Sequence, residues 1–391
     1  MTLPRLLVIL TVLSWAYWLV ACVCVVTFFA SQRAPSPAGL GPVSVLKPLC
    51  GLDAALYENL VSFACLDYPD YELLFGVTDP AYPAQEVVHR LQRRFPRLRI
   101  RAIVAPRTGP NDKVSVHCAL TSQARHDVLV LADSDMRAEA DFLQRMVAPL
   151  ADPSVGLVTC LYRGAGAENL PAVLEALYIS ATFLPSVLVA RRYLHMRFAL
   201  GASCALRRSD LDAIGGFEVL LDYLADDYQL GARVAATGKQ VQLAECVLST
   251  VLGAGNFGDQ WDREVRWHKC TRVSRPAEYP GLLLTFCTPL ALLAAAALGF
   301  SALGCSMLCI SLLLRWLVLR QVAVCTGDRL LSASWLWLPL RDLLTACVWC
   351  AGLLGRSVSW RGRRFALRAG GRLQEAYPAS LAPSPWRRAA P

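Results

Sequence analysis

The sequence contains little charge and very little lysine. Charged residues make up 18% of the 391 residues, whereas soluble domains typically contain about 25%. Hydrophobic residues make up 55%, so the composition excludes a disordered chain and argues against a fully soluble protein. The length is compatible with two or three domains of about 150 residues each. The composition therefore predicts a membrane-associated protein with a folded core.

Lysine supplies only four of the 39 basic residues, so the formal net charge of +9 is carried mainly by arginine. Arginines beside apolar segments suit anionic lipid headgroups or phosphates. These arginines do not alternate with aromatic residues on a polar face, a pattern that would favour nucleic-acid binding. We therefore expect phosphorylated compounds and the bilayer as partners, and no nucleic acid.

The fifteen cysteines do not show the spacing of a disulfide framework or a zinc site. Many lie inside apolar runs, where cysteine packs as a small hydrophobic residue. Cys347 and Cys350 form a C-x-x-C sequence, but no second such pair and no His pair follows. This pattern favours a structural role for the cysteines and a reducing, cytosolic compartment.

Long apolar runs occur near both ends of the chain. Leu6–Ala30 is a run of 25 residues without a charge, which is long enough to span a bilayer and too long for the apolar core of a signal peptide. Gly281–Leu314 is a run of 34 such residues, and together with the residues that follow it has room for two spans. A last run, Leu330–Gly355, is interrupted by Arg341 and Asp342, which predicts an interfacial or re-entrant pair of short helices.

These runs divide the chain into four predicted parts. They are residues 1–33 as a membrane anchor, 34–280 as a soluble domain, 281–355 as a membrane region and 356–391 as a basic tail. A further apolar segment, Leu170–Ala190, contains two prolines and a glutamate, and we interpret it as an interfacial or acceptor-channel element.

Within residues 34–280, short apolar runs alternate with segments of helical periodicity. Predicted strands are Val43–Leu46, Glu72–Thr78, Arg99–Ala105, Asp127–Ala132 and Val155–Leu161. Predicted helices are Asp53–Ala64, Pro83–Phe95, Val114–Ala124 and Ala138–Leu150. This alternation predicts an α/β fold with a doubly wound, mostly parallel sheet. Ligands of such sheets bind at the carboxyl ends of the strands.

The strongest chemical signal is Asp133-Ser-Asp135, which directly follows a predicted strand. In an extended chain, residues two apart point to the same side, and two carboxylates there repel unless a cation lies between them. Mg²⁺ or Mn²⁺ suits oxygen ligands that act together with substrate phosphates. An ordinary acidic loop is the alternative interpretation.

Two other acidic positions accompany this pair. Asp79 follows a second predicted strand, where it could accept hydrogen bonds from a base or a ribose, or simply form a turn before Pro80. Asp226 and Asp227 are candidates for a general base, although a helix N-cap would use the same residue type.

The segment Arg263-Glu-Val-Arg266-Trp267 places two guanidiniums and an indole at helical spacing. Arginine matches phosphate geometry, and tryptophan can stack on a sugar or an acceptor. A basic helix on lipid headgroups is the alternative, because an apolar run begins shortly afterwards.

The order of these motifs along the chain is more specific than any one of them. The set is Asp79, Asp133-Ser-Asp135, Asp227 and Arg263-x-x-Arg266-Trp267. It resembles the D, D, D, (Q/R)-x-x-R-W pattern of inverting, processive-type family 2 glycosyltransferases.

Further segments resemble the ceramide glucosyltransferase family, over roughly residues 42–372. They are Ser44-Val-Leu-Lys-Pro48 with Gly51, Leu66-Asp-Tyr-Pro69, Ala225-Asp-Asp-Tyr228, Arg266-Trp267, and Ser359-Trp-Arg361 with Arg368. Bacterial hopanoid glucosaminyltransferases share much of this pattern, and the segments 156–164 and 183–191 are particularly similar to theirs. Animal ceramide glucosyltransferases have a single acidic residue where this chain has Asp133 and Asp135. The chain thus resembles the bacterial type, and its acceptor stays open between ceramide and a hopanoid.

The resemblance implies a nucleotide-binding glycosyltransferase-A fold with terminal transmembrane helices. It implies that Lys47 and Asp79 lie near the nucleotide, and that Asp133 and Asp135 hold Mg²⁺ or Mn²⁺ and the diphosphate of a nucleotide sugar, a UDP-sugar by analogy.

It also implies that Asp227 is the catalytic base, with Asp226 as its neighbour. Arg263, Arg266 and Trp267 would close the nucleotide-sugar site.

The expected activity is therefore inverting, metal-dependent transfer of a hexose or N-acetylhexosamine to a lipid hydroxyl, by a catalytic domain on the cytosolic side of a bacterial inner membrane. Three alternatives stay open: a hopanoid glucosaminyltransferase, a processive polysaccharide synthase, and a non-catalytic membrane scaffold. Two or three C-terminal spans are few for a polymer-exporting channel.

Overall fold

The computed structural model describes residues 2–31, 41–194, 196–360 and 363–375. Residues 32–40, Arg361 and the end of the predicted tail lie outside these residues. The helices are α1 Leu3–Ala30, α2 Leu56–Ala64, α3 Ala84–Arg94, α4 Asp112–Gln123, α5 Phe142–Val147, α6 Leu170–Tyr178, α7 Leu184–Tyr193, α8 Arg208–Ala213, α9 Asp226–Ala236, α10 Phe257–Ser274, α11 Cys287–Ala297, α12 Ala302–Thr326, α13 Arg329–Ala333 and α14 Leu338–Leu353. The strands are β1 Val43–Pro48, β2 Tyr71–Val77, β3 Arg99–Val104, β4 Val128–Ala132, β5 Met136–Arg137, β6 Val155–Ala167, β7 Ser203–Arg207, β8 Gln240–Gly253, β9 Ser357–Trp360, β10 Arg363–Leu367 and β11 Leu373–Glu375.

Eight strands of the described chain form one sheet in the order β3-β2-β1-β4-β7-β6-β8-β5. Strands β1 to β4 are mutually parallel, as predicted, and β6 pairs in parallel with β8. β7 lies antiparallel between β4 and β6 and makes the sheet mixed. Alternate residues of a strand point to opposite faces, so Val45 and Leu46 of β1 enter two different apolar clusters. Helices cover both faces, and the α/β prediction is confirmed.

Four described helices are long and apolar enough to cross a membrane: Leu3–Ala30, Leu170–Tyr193, Ala302–Thr326 and Trp335–Leu353. A fifth candidate is the pair Tyr279–Thr285 and Cys287–Ala297, which is bent by 72°. The segment 170–193 is helical throughout, with a π-helical turn at Ile179–Phe183. Pro171 lies in the first turn of this segment, where its missing N–H removes no helical hydrogen bond. Pro185 lies inside the segment, next to the π-helical turn, and the carbonyl of Ala181, which the missing N–H leaves without its helical donor, accepts from Arg315 instead.

The charges inside the last apolar run face protein. Arg341 and Asp342 lie near the start of α14 and are buried. Arg341 makes a two-pronged ion pair with Glu264 of α10, at 2.8 and 2.7 Å. Asp342 pairs with Arg315 of α12 at 2.8 Å. Both charges thus find partners on neighbouring helices, as buried charges require.

The segment that follows α14 is folded. Strands β9 to β11, which belong to the predicted tail, form a second, antiparallel sheet. Its apolar side packs on Leu224, and the backbone N–H of Leu373 donates to the carbonyl of Asp222. Gln229 of α9 donates to the carbonyl of Gly370. This small sheet therefore supports the loop that precedes Asp226 and Asp227.

Candidate active site

The carboxyl ends of three neighbouring strands carry predicted site residues. Lys47 lies near the end of β1, Asp79 follows β2 and Asp133 follows β4. The Nζ of Lys47 donates to the backbone carbonyl of Asp133 at 2.7 Å and lies 3.5 Å from the ring centre of Phe63. Burial lowers the pKa of Lys47 to about 7, although the nearby carboxylates oppose this shift. A buried lysine with a lowered pKa is typical of a functional site.

Asp79 lies at the outer part of this edge. Its Oδ1 accepts a hydrogen bond from the backbone N–H of Ala81 at 2.9 Å, so it forms the turn before α3. Its side chain is exposed. The structure therefore shows the turn, while a contact with the nucleotide stays a prediction.

The Asp133-Ser-Asp135 segment lies half-buried between β4 and β5. The Oδ2 of Asp135 accepts a hydrogen bond from Thr250 of β8 at 2.9 Å, and Ser134 hydrogen-bonds to Asp53. Burial, together with the charges of Asp133 and Asp53, raises the pKa of Asp135 to about 7. Negative charge is thus concentrated here, which favours binding of a cation.

Lys113, which sequence reasoning missed, lies at the centre of the acidic residues. It is in the first turn of α4, and its Nζ lies 2.6 Å from Oδ1 of Asp133 and 3.9 Å from Oδ2 of Asp226. Burial alone would lower the pKa of Lys113, but these carboxylates raise it, so the ammonium is charged. The rarity of lysine was a usable signal, because Lys113 is one of only four lysines and lies two positions after Asn111, the N-cap of α4.

Asp226 and Asp227 open α9 on the opposite side of Lys113. The Nδ2 of Asn111 donates to Asp226 at 3.4 Å, and the backbone N–H of Tyr228 donates to Oδ1 of Asp227 at 2.8 Å. Burial and the charge of Asp226 raise the pKa of Asp227 to about 6, and burial also raises that of Asp226. The alternative of an N-cap is not what the structure shows, because the N-cap residue is Ala225.

A small cavity joins these groups. Its walls include Lys113, Asp133, Gly201, Asp226 and Asp227. A Cβ at Gly201 would lie 2.9 Å from Oδ2 of Asp227, so glycine leaves room for that carboxylate. The structure thus brings Asp133 of the Asp133-Ser-Asp135 segment (the DxD segment) together with Asp226 and Asp227 in one cavity.

The predicted motif of α10 contacts α6. Arg263 pairs with Glu175 of α6, and the ring of Trp267 stacks on Tyr178 at 6.2 Å. The charges of Arg266 and Asp227 both act on the thiol of Cys270, whose pKa burial raises to about 12. The predicted helix is confirmed, and of its two arginines Arg266 is the one whose charge acts at the same thiol as Asp227.

The carboxylates fit a metal that binds together with substrate. The described residues contain no group of three or more His, Cys, Asp or Glu side chains that could hold a metal ion by themselves. Mg²⁺ and Mn²⁺ commonly use one or two carboxylates, substrate phosphates and water. Asp133 and Asp135 supply such a pair, and both stay half-exposed beside Asp53.

Comparison with known proteins points in one direction. The chain is 26% identical over 362 residues to ceramide glucosyltransferase 3 of Caenorhabditis elegans, which covers 88% of this chain and 76% of that protein. It is 24% identical over 351 residues to ceramide glucosyltransferase 1 of the same organism, covering 87% and 74%.

A solved structure shows the same architecture. It is a mannosyltransferase from Pyrobaculum calidifontis in complex with GDP-Man and Mn²⁺, which matches with a TM-score of 0.50 at 17% identity and covers 89% of this chain and 99% of that one. The likeness confirms the glycosyltransferase-A-type fold. The model of "Glycosyl transferase family 21" matches residues 6–373. With nearly the whole chain matched, this protein belongs to glycosyl transferase family 21.

Proposed function

We propose that this glycosyltransferase moves a hexose or N-acetylhexosamine from a UDP-sugar to the hydroxyl of a lipid, with inversion, as a ceramide glucosyltransferase-like enzyme. The observation that carries the proposal is the meeting of Asp133, Lys113 and Asp227 in one cavity beside helices that can enter a membrane. Ceramide glucosyltransferases among the relatives support a lipid acceptor. The mannosyltransferase with GDP-Man and Mn²⁺ supports a nucleotide-sugar donor.

In this mechanism, Asp227 takes the proton from the acceptor hydroxyl. The hydroxyl oxygen forms a bond to the anomeric carbon from the side opposite the diphosphate, and the bond from that carbon to the diphosphate oxygen breaks. A single displacement of this kind converts an α-linked donor into a β-glycoside. Asn111 donates to Asp226 and so helps to hold the neighbour of Asp227 in place.

Positive charge offsets the charge that grows on the leaving diphosphate. Lys113 lies at the cavity between the two aspartate pairs, and Arg266 is proposed to act from α10. Lys47 and Asp79 are proposed to bind the nucleotide, while Arg263 and Trp267 hold α10 against α6 and close the site. When bound by Asp133 and Asp135, Mg²⁺ or Mn²⁺ would supply further positive charge to the diphosphate.

We also propose that residues 34–280 and 356–391 lie on the cytosolic side of a bacterial inner membrane, where nucleotide sugars are available. Three contacts support a common side. The sheet of residues 357–375 packs on the loop before Asp226. Arg163 of β6 donates to the carbonyl of Thr326, and Arg272 of α10 donates to the carbonyl of Leu353. Both ends of the segment between α12 and β9 therefore contact the catalytic domain, which supports an interfacial or re-entrant α14.

The decisive experiment is an assay of the purified, full-length protein. UDP-glucose and UDP-N-acetylglucosamine are each incubated with ceramide or with a hydroxylated hopanoid in detergent micelles containing Mn²⁺, and the products are identified by mass spectrometry. The proposal expects one β-linked sugar per lipid. A polymer would indicate a polysaccharide synthase instead, and the absence of both donor turnover and donor binding would indicate a scaffold.

Removing one carboxylate of the DxD segment tests the proposed metal site. We expect Asp135→Ala to raise the Mn²⁺ concentration for half-maximal activity at least about tenfold, since even the partners of metal ligands typically contribute about 10–100-fold to metal affinity. The control is Asp127→Ala at the other end of β4, whose side chain is 92% exposed. An identical Mn²⁺ titration for the Asp135→Ala and control proteins would refute a metal at this segment.

The rate should also depend on pH. A general base works only when it is ionised, and burial raises the pKa of Asp227 to about 6. The transfer rate should therefore be constant above about pH 7 and fall as the pH drops through 6, to roughly one tenth of the plateau at pH 5. Initial rates at saturating donor and acceptor between pH 5 and 8 would measure this, and a flat profile would argue against Asp227 as the base.

A further inference from the structure

A groove with a volume of about 410 Å³ lies between α10 and α14, apart from the cavity of the aspartates. Ligand pockets for small molecules commonly have about 300–1,000 Å³. Phe257 and Trp261 line one side and are 54% and 38% exposed, and Leu344 and Val348 of α14 line the other. The groove thus has apolar walls and is bounded by a helix that is itself apolar enough to enter a membrane.

One buried polar atom of a residue that lines this groove has no hydrogen-bond partner among the described residues. Gln260, which lines the groove, is only 2% exposed. Its Nε2 donates to Oε1 of Glu264 at 2.9 Å, and Arg341 holds both oxygens of that carboxylate. Because a carboxylate can only accept, this contact sets the orientation of the amide. The Oε1 of Gln260 is left as a buried acceptor without a hydrogen bond among the described residues, and buried acceptors are normally satisfied.

The groove shares a helix with the proposed reaction centre. α10 lines the groove with Gln260 and Trp261 and also carries Arg263 and Arg266, which are proposed to act at the nucleotide sugar. An amphiphile in the groove would therefore have its chain along α14 and its polar end on the helix that carries these arginines.

We propose that this groove binds the lipid acceptor: its hydrocarbon chain packs against Trp261, Leu344 and Val348, and an amide N–H or hydroxyl near its reactive end donates to Oε1 of Gln260. The inference rests on the proposed function, because it names the place at which that function's acceptor binds. An apolar chain joined to a hydrogen-bond donor matches both parts of the groove, whereas a nucleotide would place its charge beside the carboxylate of Glu264.

Photolabelling tests the location without relying on turnover. The full-length protein in detergent is irradiated with a short-chain ceramide that carries a diazirine in its acyl chain, and the labelled peptides are identified by mass spectrometry. The proposal expects label on residues of α10 and α14 that face the groove, and loss of this label when unlabelled ceramide is in excess. Label confined to other segments, or label that excess ceramide does not reduce, would overturn it.

Kinetics give a second test. We expect Gln260→Leu and Trp261→Ala each to raise the KM for the short-chain ceramide about tenfold, which corresponds to the loss of one well-placed contact, and to leave the KM for the UDP-sugar unchanged. Because Trp261 is at the surface, Trp261→Ala should fold normally, so its KM can be interpreted even if Gln260→Leu misfolds. The matched control is Trp337→Ala, a tryptophan 45% exposed just before α14 and outside the groove.

The proposed function and the proposed acceptor groove can be refuted separately. If the wild-type protein binds or hydrolyses the UDP-sugar but glycosylates no lipid, the proposed function is wrong, whereas specific photolabelling of the groove would still stand. If the wild-type protein glycosylates ceramide and both groove variants keep its KM, the assignment of the groove is wrong.

Discussion

Asp227→Asn should slow sugar transfer about 10²–10⁴-fold, the usual effect of losing a general base. Asparagine keeps the size of the side chain and can still accept the hydrogen bond that Tyr228 N–H donates to Oδ1, but it cannot take the acceptor's proton. Binding of the UDP-sugar should change little, because Lys113 and Asp133 remain in the cavity. Single-turnover transfer rates and isothermal titration with the donor would separate the two effects.

The same loop offers a matched control. Asp222 is exposed, and its backbone carbonyl accepts from Leu373 of the small C-terminal sheet, a contact that Asp222→Asn keeps. Asp222→Asn should therefore transfer at the wild-type rate. Asp226→Asn is a second comparison, because Asp226 is the neighbouring carboxylate and lies 3.9 Å from Lys113. If only Asp226→Asn loses transfer activity, Asp226 and not Asp227 is the base. Wild-type rates for Asp227→Asn would remove Asp227 from the mechanism.

Arg341→Leu should lower the free energy of unfolding by about 3–5 kcal/mol, the typical result of removing one partner of a buried ion pair. Arg341 is fully buried and Glu264 is 1% exposed, so the variant leaves a carboxylate without its cation inside the protein. Activity should fall as well, because Glu264 belongs to the helix that carries Arg263 and Arg266. Urea-induced unfolding in detergent micelles would measure the loss of stability.

A double variant distinguishes the cost of an unpaired buried charge from the contribution of the intact ion pair to the free energy of unfolding. Glu264→Leu combined with Arg341→Leu should be more stable than either single variant, since apolar residues often replace a buried pair at little cost. The control is Arg275→Leu, because Arg275 pairs with Glu278 near the surface at 3.3 Å and such pairs contribute about 0–1 kcal/mol. Equal losses for Arg275→Leu and Arg341→Leu would contradict the burial argument.

Local pattern predicted the first half of the sheet well. β1 to β4 are short runs of Val, Leu and Ile, and each is followed by a segment of helical periodicity. Both the strands and their parallel direction could therefore be predicted. The placement of Lys47, Asp79 and Asp133 at one edge follows from that common direction, because parallel strands end on the same side of the sheet. The family was also predictable, since the ordered set of motifs is specific.

Partners distant in the sequence could not be predicted. Lys113 and Asp226 are brought together by packing of α4 against the start of α9, and nothing in the local sequence of either helix specifies the other. Arg341 stands out in the sequence as a charge within an apolar run, but its partner Glu264 lies 77 positions away. The basic residues after Gly355 were interpreted as a tail because arginines without long apolar runs indicate a solvated segment, whereas three short strands there share a small core with Leu224.

The difference between what the sequence predicts and what only the folded structure decides has a physical origin. Backbone conformation, apolar periodicity and the chemistry of a carboxylate pair are properties of neighbouring residues, so the strands, the membrane-seeking helices and the DxD segment could be recognised from the order of amino acids. Other properties depend on which distant groups pack together in the interior, where the dielectric constant is low. They are the pKa of Asp227, the contact of Lys113 with Asp133 and the unsatisfied Oε1 of Gln260. Burial and distance set those properties, and both exist only after the chain has folded.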